Sequence, residues 1–118
     1  MRGEKMDCIF CAIANKEIPS QIVFENDNLV AFRDLNPQAP VHILVVPKMH
    51  ISSMNEITSE NSHITAEIFE VINKIAEKEN IKDSGYRVIS NCGEHGCQSV
   101  KHLHFHLIGG KKLSETLS

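Results

Sequence analysis

The stretch Lys101-His102-Leu103-His104-Phe105-His106-Leu107-Ile108 alternates histidine with apolar residues through three full periods. Successive side chains of a β-strand point to opposite faces, so this alternation reads as a strand. Leu103, Phe105 and Leu107 then face a core. His102, His104 and His106 line the other face in a row, roughly 7 Å apart at about 3.3 Å rise per residue. Three imidazoles on one face titrate near neutral pH, and such a group can bind metal or attack phosphorus.

The residues just before this strand are Asn91-Cys92-Gly93-Glu94-His95-Gly96-Cys97-Gln98-Ser99. The glycines permit unusual backbone angles and close approach to a ligand. Gln98 and Ser99 place donors at the mouth of the histidine face, and anion binding needs several donors converging on one point. Beside three in-line histidines the loop reads as a phosphate cradle. Gly109-Gly110 closes the strand, and the polar stretch 111–118 reads as a loose tail.

Further outward, Val41-His42-Ile43-Leu44-Val45-Val46 is a continuous apolar run with β-branched residues, read as a central strand ended by Pro47. Gln21–Glu25 and Leu29–Arg33 are strand-like, and Asn26-Asp27-Asn28 between them predicts a hairpin. Tyr86–Ser90 is the remaining strand. Asp7 is placed to cap a short helix over Cys8–Ala14. Thr58 or Ser59 is placed to cap a long helix, whose Ile64, Ile68, Val71, Ile72 and Ile75 recur at helical spacing. Two helices and five strands with short connections favour an α+β fold, an antiparallel sheet with helices packed on it.

The chain has 118 residues, which suits one domain spanning 1–118 with a core over about 7–110. A chain of this size buries roughly two-thirds of its unfolded surface and needs no staples. The net charge of −3 argues against a nucleic-acid partner. No apolar run approaches the roughly 18 residues that span a bilayer, and the first residues lack an apolar signal core, so a cytoplasmic location and no membrane partner are expected.

The four cysteines are Cys8, Cys11, Cys92 and Cys97. In a reducing compartment their spacing favours metal or redox work over structural disulfides. Cys8-x-x-Cys11 is a zinc half-site. The two further ligands come either from His50 and His102 or from Cys92 and Cys97. Asp34, where a strand gives way to a loop, is set to accept ribose hydroxyls or to bond its own turn, and the turn comes first. His42 reads as a structural histidine within its strand, and His63 and His95 as surface residues.

Gly96-Cys97-Gln98-Ser99-Val100 followed by His102-x-His104-x-His106 resembles the signature of the histidine triad (HIT) superfamily, and within it the Hint branch of nucleoside phosphoramidate hydrolases. The likeness extends through Ile18-Pro19, Ala31–Pro40 and Val46–Ser52. It implies a small α+β fold with a five-stranded antiparallel sheet, one short N-terminal helix and one long helix. It also implies a homodimer and a purine nucleotide pocket. On this resemblance the catalytic residues are His104, His106, Ser99 and His102, with His104 the nucleophile, attacking through a tautomer fixed by a main-chain carbonyl. His106, Gln98, Ser99 and Asn91 surround the α-phosphate, and Ser99 also reaches the leaving atom. Asp34 holds the ribose hydroxyls. Phe10, Ile13, Phe32 and Leu35 form the slot for the base. The bacterial zinc-binding members imply a structural zinc held by Cys8, Cys11, His50 and His102.

Cys97 stands where the Hint branch commonly carries glycine, and the tail after Gly110 lacks the tryptophan-bearing ending of the animal proteins. The implied activity is hydrolysis of purine nucleoside 5′-phosphoramidates or related conjugates through a nucleotidyl-histidine. Three other expectations compete with it: hydrolysis of dinucleoside polyphosphates, purine nucleotide binding without turnover, and a catalytic zinc held by the three histidines.

Overall fold

The computed structural model describes residues 8–116. In chain order it contains α1 (Ile9–Ala14), β1 (Ile22–Glu25), β2 (Leu29–Arg33), β3 (Val41–Pro47), a 3-10 turn over Met54–Glu56, α2 (His63–Lys78), β4 (Tyr86–Ile89) and β5 (Phe105–Gly109). The five strands form one antiparallel sheet in the order β1-β2-β3-β5-β4. This is the expected α+β architecture. Among the described residues no helix is long and apolar enough to cross a membrane.

Strand β3 is buried at every position, which is why its sequence is a run and not an alternation. Its odd-numbered residues Val41, Ile43 and Val45 join Leu29, Ala31, Phe105 and Leu107 against Ile64, Ile68, Val71, Ile72 and Ile75 of α2. Leu44 and Val46 turn the other way. With Val30 and Phe32 they pack against Phe10, Cys11, Ile13 and Ala14 of α1. Fully burying one such aliphatic side chain contributes about 1.5–3 kcal/mol, so α2 is held chiefly by its apolar stripe.

Several boundaries differ from the sequence reading. Helix α2 begins at His63, and its N-cap Ser62 makes no side-chain cap bond. Thr58 and Asn61 instead close a turn of their own, with Asn61 Oδ1 accepting from Thr58 N at 2.7 Å and Thr58 Oγ1 from Glu60 N at 3.2 Å. Local side-chain bonds of this kind compete with helix. The Asp7 cap lies outside the described residues, and the Cys8 thiol caps α1 by accepting from Cys11 N at 3.3 Å.

Pro47 belongs to β3, paired with Leu29, and the regular histidine strand starts only at Phe105. The register pairs Val45 with Phe105, so continuing it would set Leu103 against Pro47, which has no N–H to extend the ladder. Leu103 N bonds Ile51 O instead, at 2.6 Å. The alternation survives this break: Leu103, Phe105 and Leu107 all lie in the α2-facing core.

Candidate functional site

Two of the three histidines meet at a pocket, and the third does not. The rings of His104 and His106 stand 5.2 Å apart. His104 donates Nδ1–H to His102 O at 2.7 Å, which leaves Nε2 as its lone-pair atom. His102 is fully buried and lines no part of the pocket. It donates Nε2–H to Pro47 O at 2.8 Å, so its Nδ1 lone pair faces Cys8 Sγ at 3.2 Å and Cys11 Sγ at 3.5 Å.

His42, read from sequence as merely structural, is part of the constellation. Gln38 N–H donates to His42 Nδ1 at 3.0 Å, so the proton of this neutral ring sits on Nε2. That Nε2–H donates to His106 Nδ1 at 2.9 Å. His106 is thereby the tautomer whose Nε2–H is a donor. The chain of bonds runs from a backbone amide, through His42, to a donor beside His104. A signal existed: a histidine inside an otherwise apolar buried strand must find a partner.

Burial, reinforced by repulsion from His104 and His42, holds the His106 pKa down at about 4 from an ordinary 6.5, against the opposing pull of Asp34. Burial likewise lowers His42 against Asp34. Both rings are therefore neutral near pH 7, and the 3.4 Å approach of His42 Nε2 to Asp34 Oδ2 is not an ion pair there. Between pH 6.5 and 4 the unfolded chain holds the His106 proton and the folded chain does not. Stability from this group is complete above 6.5 and is lost as pH falls toward 4. Melting temperatures are expected to drop through that window, and His106→Gln to shrink the slope; an unchanged slope would count against the buried neutral ring.

The pocket encloses about 250 Å³. Its walls are apolar (Ile9, Phe10, Ile13, Ile18, Phe32 and Leu44), while Asp34, Ser99, His104 and His106 bring polar atoms to it. The Phe10 ring meets His104 edge-on at 4.9 Å and Phe32 at 5.6 Å. Leu35 stands at the rim, 94% exposed. Asp34 Oδ1 accepts from Asn36 N at 2.8 Å, which is the turn bond expected of it, and Oδ2 lies toward His42.

Asn91 and Gln98 do not line the pocket; their side chains hold the loop together. Asn91 Nδ2 donates to Gly96 O at 2.7 Å. Gln98 Nε2 donates to Ser52 O at 2.7 Å and to Val100 O at 3.0 Å, while Oε1 accepts from Gly93 N. The loop turns as a helix end does, with Gln98 N on Gly93 O and Cys97 N on Glu94 O. Gly96 is obligatory here: a Cβ would lie 2.4 Å from Cys92 O.

Cys97 takes the left-handed position of this turn, with φ +63. A side chain in that conformation costs about 1–2 kcal/mol that glycine avoids. Cys97→Gly is expected to raise stability by about 1 kcal/mol in urea titrations. A destabilised variant would show that the thiol is held by contacts stronger than that strain.

Cys8, Cys11, His50 and His102 bring their ligand atoms within 4.8 Å of one another. Cys11 Sγ lies 3.2 Å from His50 Nδ1. The cluster is Cys2His2, with the His102 tautomer set by a carbonyl behind it, as second-shell partners of structural metals commonly do. The donor set therefore suits a tetrahedral divalent ion such as zinc. Neither Cys92 nor Cys97 belongs to this cluster, which removes the four-cysteine arrangement. His63 and His95 are exposed, as expected.

A family profile described as "Scavenger mRNA decapping enzyme C-term binding" matches residues 7–117. A purine nucleoside phosphoramidase of Escherichia coli K12 is 44% identical over 112 residues, 95% of this chain and 94% of that protein. A 14 kDa zinc-binding protein of Zea mays is 44% identical over 108 residues, 90% of this chain and 84% of that protein. Among solved structures, a histidine triad protein from Clostridium difficile superposes with a TM-score of 0.92 at 55% identity, covering 94% of this chain and 96% of the other.

Proposed function

Because the chain belongs to the histidine triad (HIT) family, we propose that it is a nucleotide hydrolase that cleaves purine nucleoside 5′-phosphoramidates, or related nucleotide conjugates, to nucleoside monophosphates. The observation that carries this reading is His104, its Nε2 lone pair free of the His102 carbonyl bond, beside the donor His106 in an apolar pocket with a carboxylate at its edge.

In this mechanism His104 Nε2 attacks the α-phosphorus and the bond to the leaving nitrogen breaks. That nitrogen takes up a proton from solvent, which the attacking water returns in the second step, and the Ser99 hydroxyl hydrogen-bonds it as it departs. His106 Nε2–H donates to the phosphoryl oxygens, where the transition state gathers charge. Water then attacks the nucleotidyl-histidine, releasing the monophosphate and the free ring. Asp34 takes the ribose hydroxyls, and Phe10, Ile13, Phe32 and Leu35 enclose the base. Asn91 and Gln98 act one step back, by fixing the loop that carries Ser99.

The metal assigned to Cys8, Cys11, His50 and His102 is a structural zinc. With four protein donors it would leave no position open to substrate, and it would tie α1 to the segments that follow β3 and precede β5. The name of the maize relative supports the choice of zinc. The setting is the cytoplasm, where thiolates stay reduced.

A kinetic panel tests the activity. Adenosine or guanosine 5′-phosphoramidate is expected to exceed diadenosine polyphosphate in kcat/KM by at least about 10²-fold, or about 2.7 kcal/mol. Preference for the polyphosphate would move the chain to the other hydrolase class. Binding of AMP with no turnover of any substrate would make it a binding module.

The same reading includes a homodimer. Phe69 of α2 is 53% exposed, and Tyr86 and Val88 on edge strand β4 are each 37% exposed, apolar surface of the kind an isologous interface covers. Light scattering is expected to give twice the 13.2 kDa chain mass, and a monomer at micromolar concentration would remove this part of the proposal.

A further inference from the structure

The metal cluster and the pocket share one short element. Helix α1 has six residues, too few to be stable by themselves. Its N-cap is Cys8 and its third residue is Cys11, so its first turn is a pair of metal donors. Between them lies Phe10, 6% exposed. The Phe10 ring contacts both sites at once: it meets His102, a cluster donor, at 6.0 Å, and His104, at the pocket, at 4.9 Å. Phe10 and Ile13 are pocket wall, and the same helix turn carries the thiols.

Ordering this turn once serves both ligands. A metal that gathers Cys8 and Cys11 onto His50 and His102 fixes α1 and sets Phe10 in place as a wall. A base packed against Phe10 and Ile13 fixes the same turn and holds Cys8 and Cys11 at ligand distance. Whichever ligand arrives second meets less conformational entropy left to lose.

We propose that metal and purine nucleotide bind this chain with positive coupling, transmitted by Phe10 of α1 from the Cys8–Cys11 turn to the pocket. The inference rests on the nucleotide reading above. Linkage requires the effect to be reciprocal, so the factor by which nucleotide tightens metal equals the factor by which metal tightens nucleotide. A coupling on the order of tenfold is expected, within the usual range of about 5–150-fold.

The test measures binding, not turnover. Zinc affinity of the full chain is read by competition with a chromophoric chelator, with and without saturating AMP, after subtraction of the weak zinc affinity of free AMP. AMP affinity is read by calorimetry on zinc-loaded and chelator-stripped protein, with far-ultraviolet circular dichroism to confirm that the stripped chain is folded. The expected result is two equal factors of about tenfold. Phe10→Ala keeps all four donors and is expected to hold zinc while both factors fall to near one. Asp34→Asn is expected to weaken AMP while keeping the factor, because Asp34 lies off α1. Equal AMP affinity with and without zinc would overturn the coupling and leave the nucleotide reading standing. Failure of AMP to bind even the zinc-loaded protein would overturn both. An undiminished factor in Phe10→Ala would overturn the assigned route. If stripping unfolds the chain, the chelator competition alone decides: AMP must raise zinc affinity in the native protein and not in Phe10→Ala.

Discussion

His104→Ala is expected to lower hydrolysis of adenosine 5′-phosphoramidate by at least about 10³-fold, a loss of about 4 kcal/mol of transition-state stabilisation. The geometry singles out this ring. It is 3% exposed, lines the pocket, and its Nδ1–H is committed to the His102 carbonyl. Its Nε2 is therefore the lone pair available for attack. His106 has the opposite polarity, because the amide of Gln38, acting through His42, makes its Nε2 a donor. His106→Ala should slow turnover by a smaller factor, because the nucleophile remains. AMP affinity should fall little in His104→Ala, since Asp34 and the apolar walls are untouched. Rapid acid-free quenching with labelled substrate should trap a nucleotidyl adduct on the native chain and none on His104→Ala. An adduct on another residue, or near-native turnover of the variant, would defeat the assignment.

The second large effect is on the metal. Cys8→Ser is expected to empty the Cys2His2 cluster and to remove the stability that metal binding adds, about 4 kcal/mol at 1,000 times the dissociation constant. The serine hydroxyl can still accept the Cys11 amide at the N-cap of α1, so the loss reports on the metal and not on the cap. Loss of zinc by emission spectroscopy and a lower melting temperature should appear together. Cys92→Ser should keep both, because Cys92 lies outside the cluster. Retention of one zinc per chain by Cys8→Ser would reject this site.

The parts of this molecule that repeat with a regular period could be read from the chain. The period-two pattern at Leu103, Phe105 and Leu107 and the helical spacing at Ile64, Ile68, Val71, Ile72 and Ile75 each state which face is buried. The structure places both sets in one core. The Cys-x-x-Cys turn likewise announced two donors, but nothing in its spacing chose between two histidines and two more cysteines. That choice is made by tertiary placement, which carries His102 past the end of β3 to the Pro47 carbonyl.

Side-chain commitments were less legible. Gln98 is a donor in sequence, yet its amide is spent on Ser52, Val100 and Gly93. His42 looks like one buried polar residue among apolar neighbours, and only its distance to His106 reveals what it does. The start of α2 slipped because Thr58 and Asn61 satisfy each other locally, an outcome that propensity does not separate from a cap.

The pairing of β3 with β5 has a kinetic consequence. His42 and His106 are 64 positions apart in the chain, and both the pocket and the two-sided burial of β3 depend on that pairing. During synthesis β3 leaves the ribosome well before its partner. Until β5 docks, one edge of a strand with two apolar faces stays unpaired, a template for association with other chains. Closing so long a loop is also the slow step that non-local topology imposes. Catalytic competence should therefore appear only with the last, global phase of folding. Chains truncated before Phe105 should aggregate without ever showing partial activity.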